Sequence, residues 1–327
     1  MARSEELSVG AGDGALAGTL TLPDRPPPPD RRGRYPNVVL LPSWLPRDRD
    51  GAWDRRRHAA WFGAADGRPG LLARMSLALA DRGVASLRCD PRGCADSPGE
   101  WEAISLFTRI DDARDMLAAL RSHRALDLRR TGIVGHGEGA TLALAVAIGD
   151  PAVSALTLIG PSARSWRDVL RRGVAARARM GTNLQHPIVR AIDRWSEELI
   201  EGAERRHPGQ DVQIPGVGPL TVGLTGVEQA IHTPPRALAT MLHRSVALVH
   251  GASDAWADPE ESELLELVLV EAGNRPSRRL VPDAGHDLAE AGDQLIGELA
   301  ADLAARLLPR ELPPLLTAIE EMGDAVR

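Results

Sequence analysis

The sequence predicts an α/β protein in which a mostly parallel sheet is flanked by helices and interrupted by a helical insertion. Two observations carry this. Short apolar runs bounded by turn residues alternate with longer stretches of helical period, the pattern left when helices wrap a parallel sheet. That alternation breaks once, between Gly160 and Val246, where about 80 residues are too many for an ordinary connection.

Two early strands are expected near 5–9 and 15–22. They lead into DRPPPPDRRGRYP, whose prolines cannot continue a sheet. Buried strands follow at NVVLLP, VASLRC, GIVGH, ALTLIG, VALVHG and SRRLVP, with helices near 70–82, 107–121, 138–148, 258–272 and 289–307. The interruption holds two helical patterns and the Gly/Pro-rich PGQDVQIPGVGPLTVGLTG. Ile188, Ile192, Trp195 and Leu199 share one helical face, so this stretch has a surface with which to pack. It is expected to cap the sheet edge, which divides the chain into a first core segment (1–161), a helical cap (162–240) and a second core segment with a C-terminal tail (241–327). The tail, LLPRELPPLLTAIEEMGDAVR, reads as amphipathic. No internal repeat is visible.

Composition narrows the function. Hydrophobic residues make up 43% of the 327, enough for a core, and a net charge of −6 argues against nucleic-acid or anionic-membrane partners. All 39 basic residues are Arg, so no lysine Schiff base can form. The opening MARSEELSVGAGDG lacks a basic start and an apolar run, and no 18-residue apolar stretch occurs, so a soluble, cytoplasmic protein is expected. Its partner should be a small molecule, with neither cofactor nor metal. Cys89 and Cys94, in LRCDPRGCADS, form neither a CxxC motif nor half of a zinc site and are read as reduced structural thiols. Cys94 alone, in a loop after a strand, has a place where reactive groups tend to sit.

One motif carries the chemistry. In IVGHGEGATLALAVA, residues 133–147, the segment Gly135-His136-Gly137-Glu138-Gly139 matches GxSxG except at its centre, where Gly137 stands. The order of elements around it resembles the α/β-hydrolase superfamily over nearly the whole chain. There GxSxG is a sharp strand-to-helix turn presenting a Ser, followed in chain order by an acid and a His. LVHGASDAW resembles the acid turn and VPDAGHDL the histidine loop, which implies Asp254 as acid and His286 as base. LALADRGVASLRCDPRGCADSPGE is similar to the helix, strand and RGxGxS loop of dienelactone-hydrolase-like and peptidase-like members. The resemblance implies an α/β-hydrolase fold with Gly137 in the nucleophile position.

Structural duties compete for the same residues. Gly135 and Gly139 suit a tight turn under a closely packed helix. His136 and His250 read as packing histidines, and Asp254 can cap the segment after it.

The loop after the third strand departs from the family as well. Relatives with an RDG pattern carry small residues there, as in GSGP, and a backbone NH of that loop helps hold an oxyanion. This chain has LPSWLPRDRDG, which puts Ser43, Trp44 and Leu45 in their place and leaves less room for a tetrahedral intermediate. A serine removed by design would leave a working esterase's loop behind, so a natural loss is favoured.

Without a nucleophile at the turn there is no acyl-enzyme on it. Glu138 contributes chiefly its backbone NH. What survives is a general base, His286, oriented by Asp254, beside NH groups that can hold an anion at the start of helix 138–148. Such a site suits elimination, isomerisation, cyclisation or attack by an activated water. Elimination of a carboxylate such as acetate uses every part, and resembles in logic the acetate-eliminating α/β-hydrolase-fold enzymes of tetronate natural-product pathways. Trp44, Trp256 and cap residues Trp166, Trp195 and Met180 are expected to enclose an apolar substrate. The alternatives are a serine esterase or peptidase-like hydrolase whose nucleophile was replaced at Gly137, and a catalytically dead binding protein.

Overall fold

Strand β3 (Tyr35–Leu41) explains why the sheet reads as unbroken apolar runs. Successive side chains of a strand point to opposite faces. In the computed structural model, Val38 and Leu40 join the core cluster on one face while Val39 and Leu41 join the cluster on the other. A strand buried on both faces has no polar side to show. The structure describes residues 2–24, 33–54, 69–179, 200–201 and 224–307.

Eight strands build the sheet: β1 (Arg3–Val9), β2 (Leu16–Leu22), β3, β4 (Ala85–Cys89), β5 (Leu126–His136), β6 (Val153–Ile159), β7 (Ser245–Gly251) and β8 (Ser277–Val281). Their order is β1-β2-β4-β3-β5-β6-β7-β8. β2 runs antiparallel to both β1 and β4, and all other pairs are parallel. β5 begins at Leu126, ahead of the expected GIVGH; its polar start, LDLRR, touches β3 through the pair Tyr35 and Leu126 before the register shifts.

Helices α1 (Leu71–Ala80), α2 (Leu106–Ser122) and α3 (Glu138–Gly149) lie close to their expected bounds. α2 shows the local logic. Ser105 caps it by accepting the Thr108 NH at 3.0 Å, and Leu106, Ile110, Ala113, Leu117 and Leu120 recur at helical spacing on its buried face. Within the expected cap lie α4 (Trp166–Arg179), α5 (Leu224–His232) and α6 (Pro235–Ala239). α7 (Glu260–Glu271) and α8 (Asp293–Leu307) complete the core, α8 starting a few residues later than expected because Gly292 precedes it. α1 and α8 cover one face of the sheet; α2, α3 and α7 cover the other. Ile188, Ile192, Trp195, Leu199, Met180, the proline run 25–32 and the tail from 308 lie outside the described residues. No described helix is long and apolar enough to cross a membrane.

Cys89 and Cys94 are both buried and unbridged. Burial pushes the Cys94 thiol up to about 12, so it stays protonated at neutral pH. Its loop position therefore does not make it reactive, because the loop folds it inward.

The parallel strands end on one edge, and five loops gather there: Ser43 after β3, Gly137 after β5, Gly160 after β6, Asp254 after β7 and His286 after β8. In open α/β sheets this edge is where ligands bind.

Candidate active site

Gly137 joins β5 to α3 with φ 55° and ψ −118°. This backbone region is strained for any residue with a Cβ and free for glycine. The turn is held by the Gly137 NH donating to the Ile159 carbonyl at 2.8 Å and by the Gly137 carbonyl accepting from Ala140 at 3.1 Å. Its flanks are packing glycines. A Cβ on Gly139 would lie 2.8 Å from the Pro42 carbonyl oxygen, and one on Gly135 2.7 Å from the Ala140 Cα, so both let the helix sit directly on the strands.

The space that a side chain at residue 137 would fill is already taken. A Cβ there would overlap the Ser43 Oγ and lie 2.8 Å from the His286 Nε2 and 2.9 Å from the Ser43 Cβ. Ser43 Oγ itself stands 3.5 Å from His286 Nε2. The crowding at this point comes from the Ser43 hydroxyl, where the bulk of Trp44 and Leu45 was expected to provide it. Leu45 is buried, and the Trp44 indole turns to Trp101 and Trp166, with ring centroids at 5.5 and 4.3 Å.

On the other side of the imidazole, His286 Nδ1 lies 2.7 Å from Asp254 Oδ2. Asp254 is 1% exposed and uses both oxygens: Oδ1 accepts the NH groups of Trp256 at 2.8 Å and Ala257 at 3.0 Å. The capping duty and the orienting duty thus belong to one carboxylate. Oδ2 also faces His250 Nε2 at 3.1 Å; His250 is the buried core histidine expected, and the same nitrogen lies 3.0 Å from the Ala257 carbonyl. Burial works to raise the Asp254 pKa, but the His286 charge and the bonds from His250 and His286 outweigh it and hold the carboxyl well below its ordinary range. Burial likewise works to lower the pKa of His286, yet Asp254 and Asp287 prevail and the net shift is upward. His136, fully buried, is pushed down to about 3 by desolvation and by the neighbouring His286, and stays neutral. Its Nε2 lies 3.1 Å from the His286 carbonyl, which suits the packing role expected of it.

Two ionic clamps that sequence reasoning missed fix these loops. Arg47, 3% exposed, donates to both oxygens of Asp287 at 2.9 and 3.1 Å and to the Gly51 carbonyl at 2.7 Å, binding the β3 loop to the histidine loop. Arg109 of α2 pairs with the Glu138 carboxylate and donates to the Trp44 carbonyl at 2.9 Å, binding the start of α3 to the same loop. Burial raises the Glu138 pKa against the opposing effect of Arg109. Glu138 therefore serves with its side chain as well as its NH. A signal for Arg47 was present in RDRDG, whereas Arg109 lies in an ordinary amphipathic helix and gave none.

Ser43, Trp44, Gly137, Trp166, Trp256 and His286 are among the residues that line a cavity of about 90 Å³ above the turn. Trp195 is outside the described residues. His136, His286 and Asp287 bring metal-ligating atoms within 4.8 Å of one another, but Arg47 already neutralises Asp287 and Asp254 holds the His286 Nδ1.

A strand-to-helix turn, an acid after β7 and a histidine after β8 on a mostly parallel sheet define the α/β-hydrolase class. The chain belongs to the alpha/beta hydrolase fold family, whose match spans residues 71–293. No curated protein matches it. Among solved structures it is similar to DcsB in complex with its substrate analogue, with a TM-score of 0.63, 15% identity and coverage of 94% of this chain and 100% of that one. It is also similar to the esterase domain of a Rhodothermus marinus protein, with a TM-score of 0.58, 17% identity and coverage of 94% and 100%. The acylaminoacyl peptidase of Pyrococcus horikoshii aligns with a TM-score of 0.63 and 13% identity over 95% of this chain and 43% of that one. At these identities the likeness is one of fold.

Proposed function

We propose that the protein is a general-base enzyme acting on a small, largely apolar molecule beneath a cap formed by residues 162–240, and that its reaction is elimination of a carboxylate. The observation that carries this is the intact pair His286 and Asp254, 2.7 Å apart, facing a residue with no side chain. His286 takes a proton from carbon next to a carbonyl, the electron pair forms a double bond, and the acyloxy group leaves from the next carbon. Its negative charge develops beside the first NH groups of α3, which have no intrahelical acceptor. No cofactor enters this scheme. The Ser43 hydroxyl filling the space at residue 137 supports a native glycine over a serine lost by replacement. A binding protein would have no use for a buried carboxylate aimed at an imidazole.

The test uses β-acetoxy carbonyl compounds in H₂¹⁸O. Elimination yields an alkene and acetate without the heavy isotope, while acyl hydrolysis yields an alcohol and labelled acetate. His286→Ala should slow alkene formation about a hundredfold or more without unfolding the protein. Full activity in that variant would remove the pair from the mechanism.

A further inference from the structure

We propose that Ser43 is a relocated nucleophile, so that Ser43, His286 and Asp254 form a catalytic triad whose hydroxyl comes from the β3 loop instead of the turn after β5. The inference rests on the same His286 and Asp254 pair but goes beyond elimination: it gives the site an acyl-transfer activity toward activated esters or thioesters with small apolar acyl groups.

Position is the first argument. Ser43 Oγ overlaps the place of a Cβ on residue 137, and a serine Oγ lies only about 1.4 Å beyond its own Cβ, a carbon–oxygen single bond much like the backbone's bonds in length. The Ser43 oxygen therefore stands close to where the turn's own nucleophile would have stood. It lies 3.5 Å from His286 Nε2, at the outer edge of hydrogen-bond reach and looser than the roughly 2.6–3.2 Å of an engaged nucleophile and base, as sites without substrate often are. The opposite ring nitrogen is held by Asp254, so the free one faces the hydroxyl.

Surroundings supply the second argument. The hydroxyl sits over the N-terminus of α3, a 12-residue helix whose first NH groups, from Glu138 and Gly139, lack intrahelical acceptors and can hold an oxyanion. Arg109 grips both sides of this arrangement, the Glu138 carboxylate and the carbonyl of Trp44, the residue after Ser43. A loop serine that merely filled space would not need its neighbour tied to the oxyanion helix. Ser43 is half-buried and lines the cavity, so an acyl group can reach it.

The step balances without an outside oxidant or reductant. Ser43 Oγ attacks the carbonyl carbon as its proton passes to His286 Nε2. The tetrahedral oxyanion collapses, and the alcohol or thiol leaves with that proton. Water, deprotonated by His286, then attacks the acyl-serine; the acid departs and the proton returns to Ser43.

The test is labelling of the full chain with an alkyl fluorophosphonate, followed by intact-mass and peptide mass spectrometry. One adduct per chain, mapped to Ser43 and formed about a hundredfold or more slowly in His286→Ala, is the expected result. Mapping on the unaltered protein needs no variant to fold. Ser43→Ala, with its melting temperature checked, should abolish the adduct. An unlabelled chain, an adduct on another residue, or undiminished labelling of Ser43→Ala would overturn the proposal. Loss of alkene formation in His286→Ala with Ser43 unlabelled sinks this inference and leaves the elimination standing; labelled Ser43 with isotope-bearing acetate supports it and sinks the elimination.

Discussion

Restoring the missing serine is the sharpest perturbation available. In Gly137→Ser the new Cβ must enter a backbone with φ 55° and ψ −118°, a region that costs a residue with a side chain about 1–3 kcal/mol. It must also displace the Ser43 hydroxyl, which it would overlap, and pass 2.8 Å from His286 Nε2. Serines at such turns are tolerated when the surroundings make room, but here the room has been filled. The variant should therefore melt lower, by about 2–4 °C for each kcal/mol lost.

Activity should fall with it. The new side chain would push the Ser43 hydroxyl from its place beside His286 Nε2 and crowd the ring that must take the proton. With the Ser43 hydroxyl already in the volume that a serine at residue 137 needs, hydrolysis of p-nitrophenyl acetate by Gly137→Ser should not exceed that of the unaltered protein. Differential scanning fluorimetry and stopped-flow release of p-nitrophenol measure the two effects. A variant of unchanged melting temperature that gives a stoichiometric burst would show an intact esterase site waiting only for its serine, and the reasoning from Ser43 would be wrong.

Two further outcomes concern the imidazole. His286 accepts a proton only when neutral, and its pKa is raised by Asp254, so the rate should climb with pH through an inflection above the ordinary histidine value of about 6.5. Asp254→Asn removes the larger of the two charges responsible, Asp287 being the other, and a pH–rate profile should show that inflection move down while the plateau drops. Gly160→Ala, a change outside the reacting groups, places a Cβ 2.9 Å from His286 Nδ1 and 3.4 Å from Asp254 Oδ2 at a φ of 56°. It should cost about 1–3 kcal/mol in a melting experiment and lower the rate about tenfold or more by tilting the ring; unchanged activity would mean that the ring has slack.

The sheet was legible because strands buried on both faces leave apolar runs and because Gly135 and Gly139 mark a helix packed hard on a strand. Asp254 and His286 were legible because each follows a strand in a short motif. What escaped was contact at long range. Nothing in the sequence says that Ser43 and Gly137, far apart in the chain, compete for one volume, or that Arg109 reaches Glu138 and Trp44 from another helix. The start of β5 escaped for a different reason: only the buried Leu126 pairs with β3 there, while Asp127, Leu128 and Arg129 bury no face, which leaves no periodicity to read.

The conformation of Gly137 is weak support for catalysis, since glycine adopts it without strain and the packing of α3 alone would keep it. The charges around His286 argue more strongly. Burying a carboxylate and its partners carries a desolvation cost that apolar side chains of similar volume would avoid, and breaking such a pair is costlier still. Here one imidazole is held by the buried Asp254, and the residue beside it is held by the buried Arg47. Both anchors serve one end: they present His286 Nε2 to the small space between Gly137 and Ser43. A fold that needed only to pack these loops has cheaper solutions, whereas one that must keep a basic nitrogen aimed at a point does not. A reacting group held at that point would meet the Ser43 hydroxyl, which stands 3.5 Å from that nitrogen.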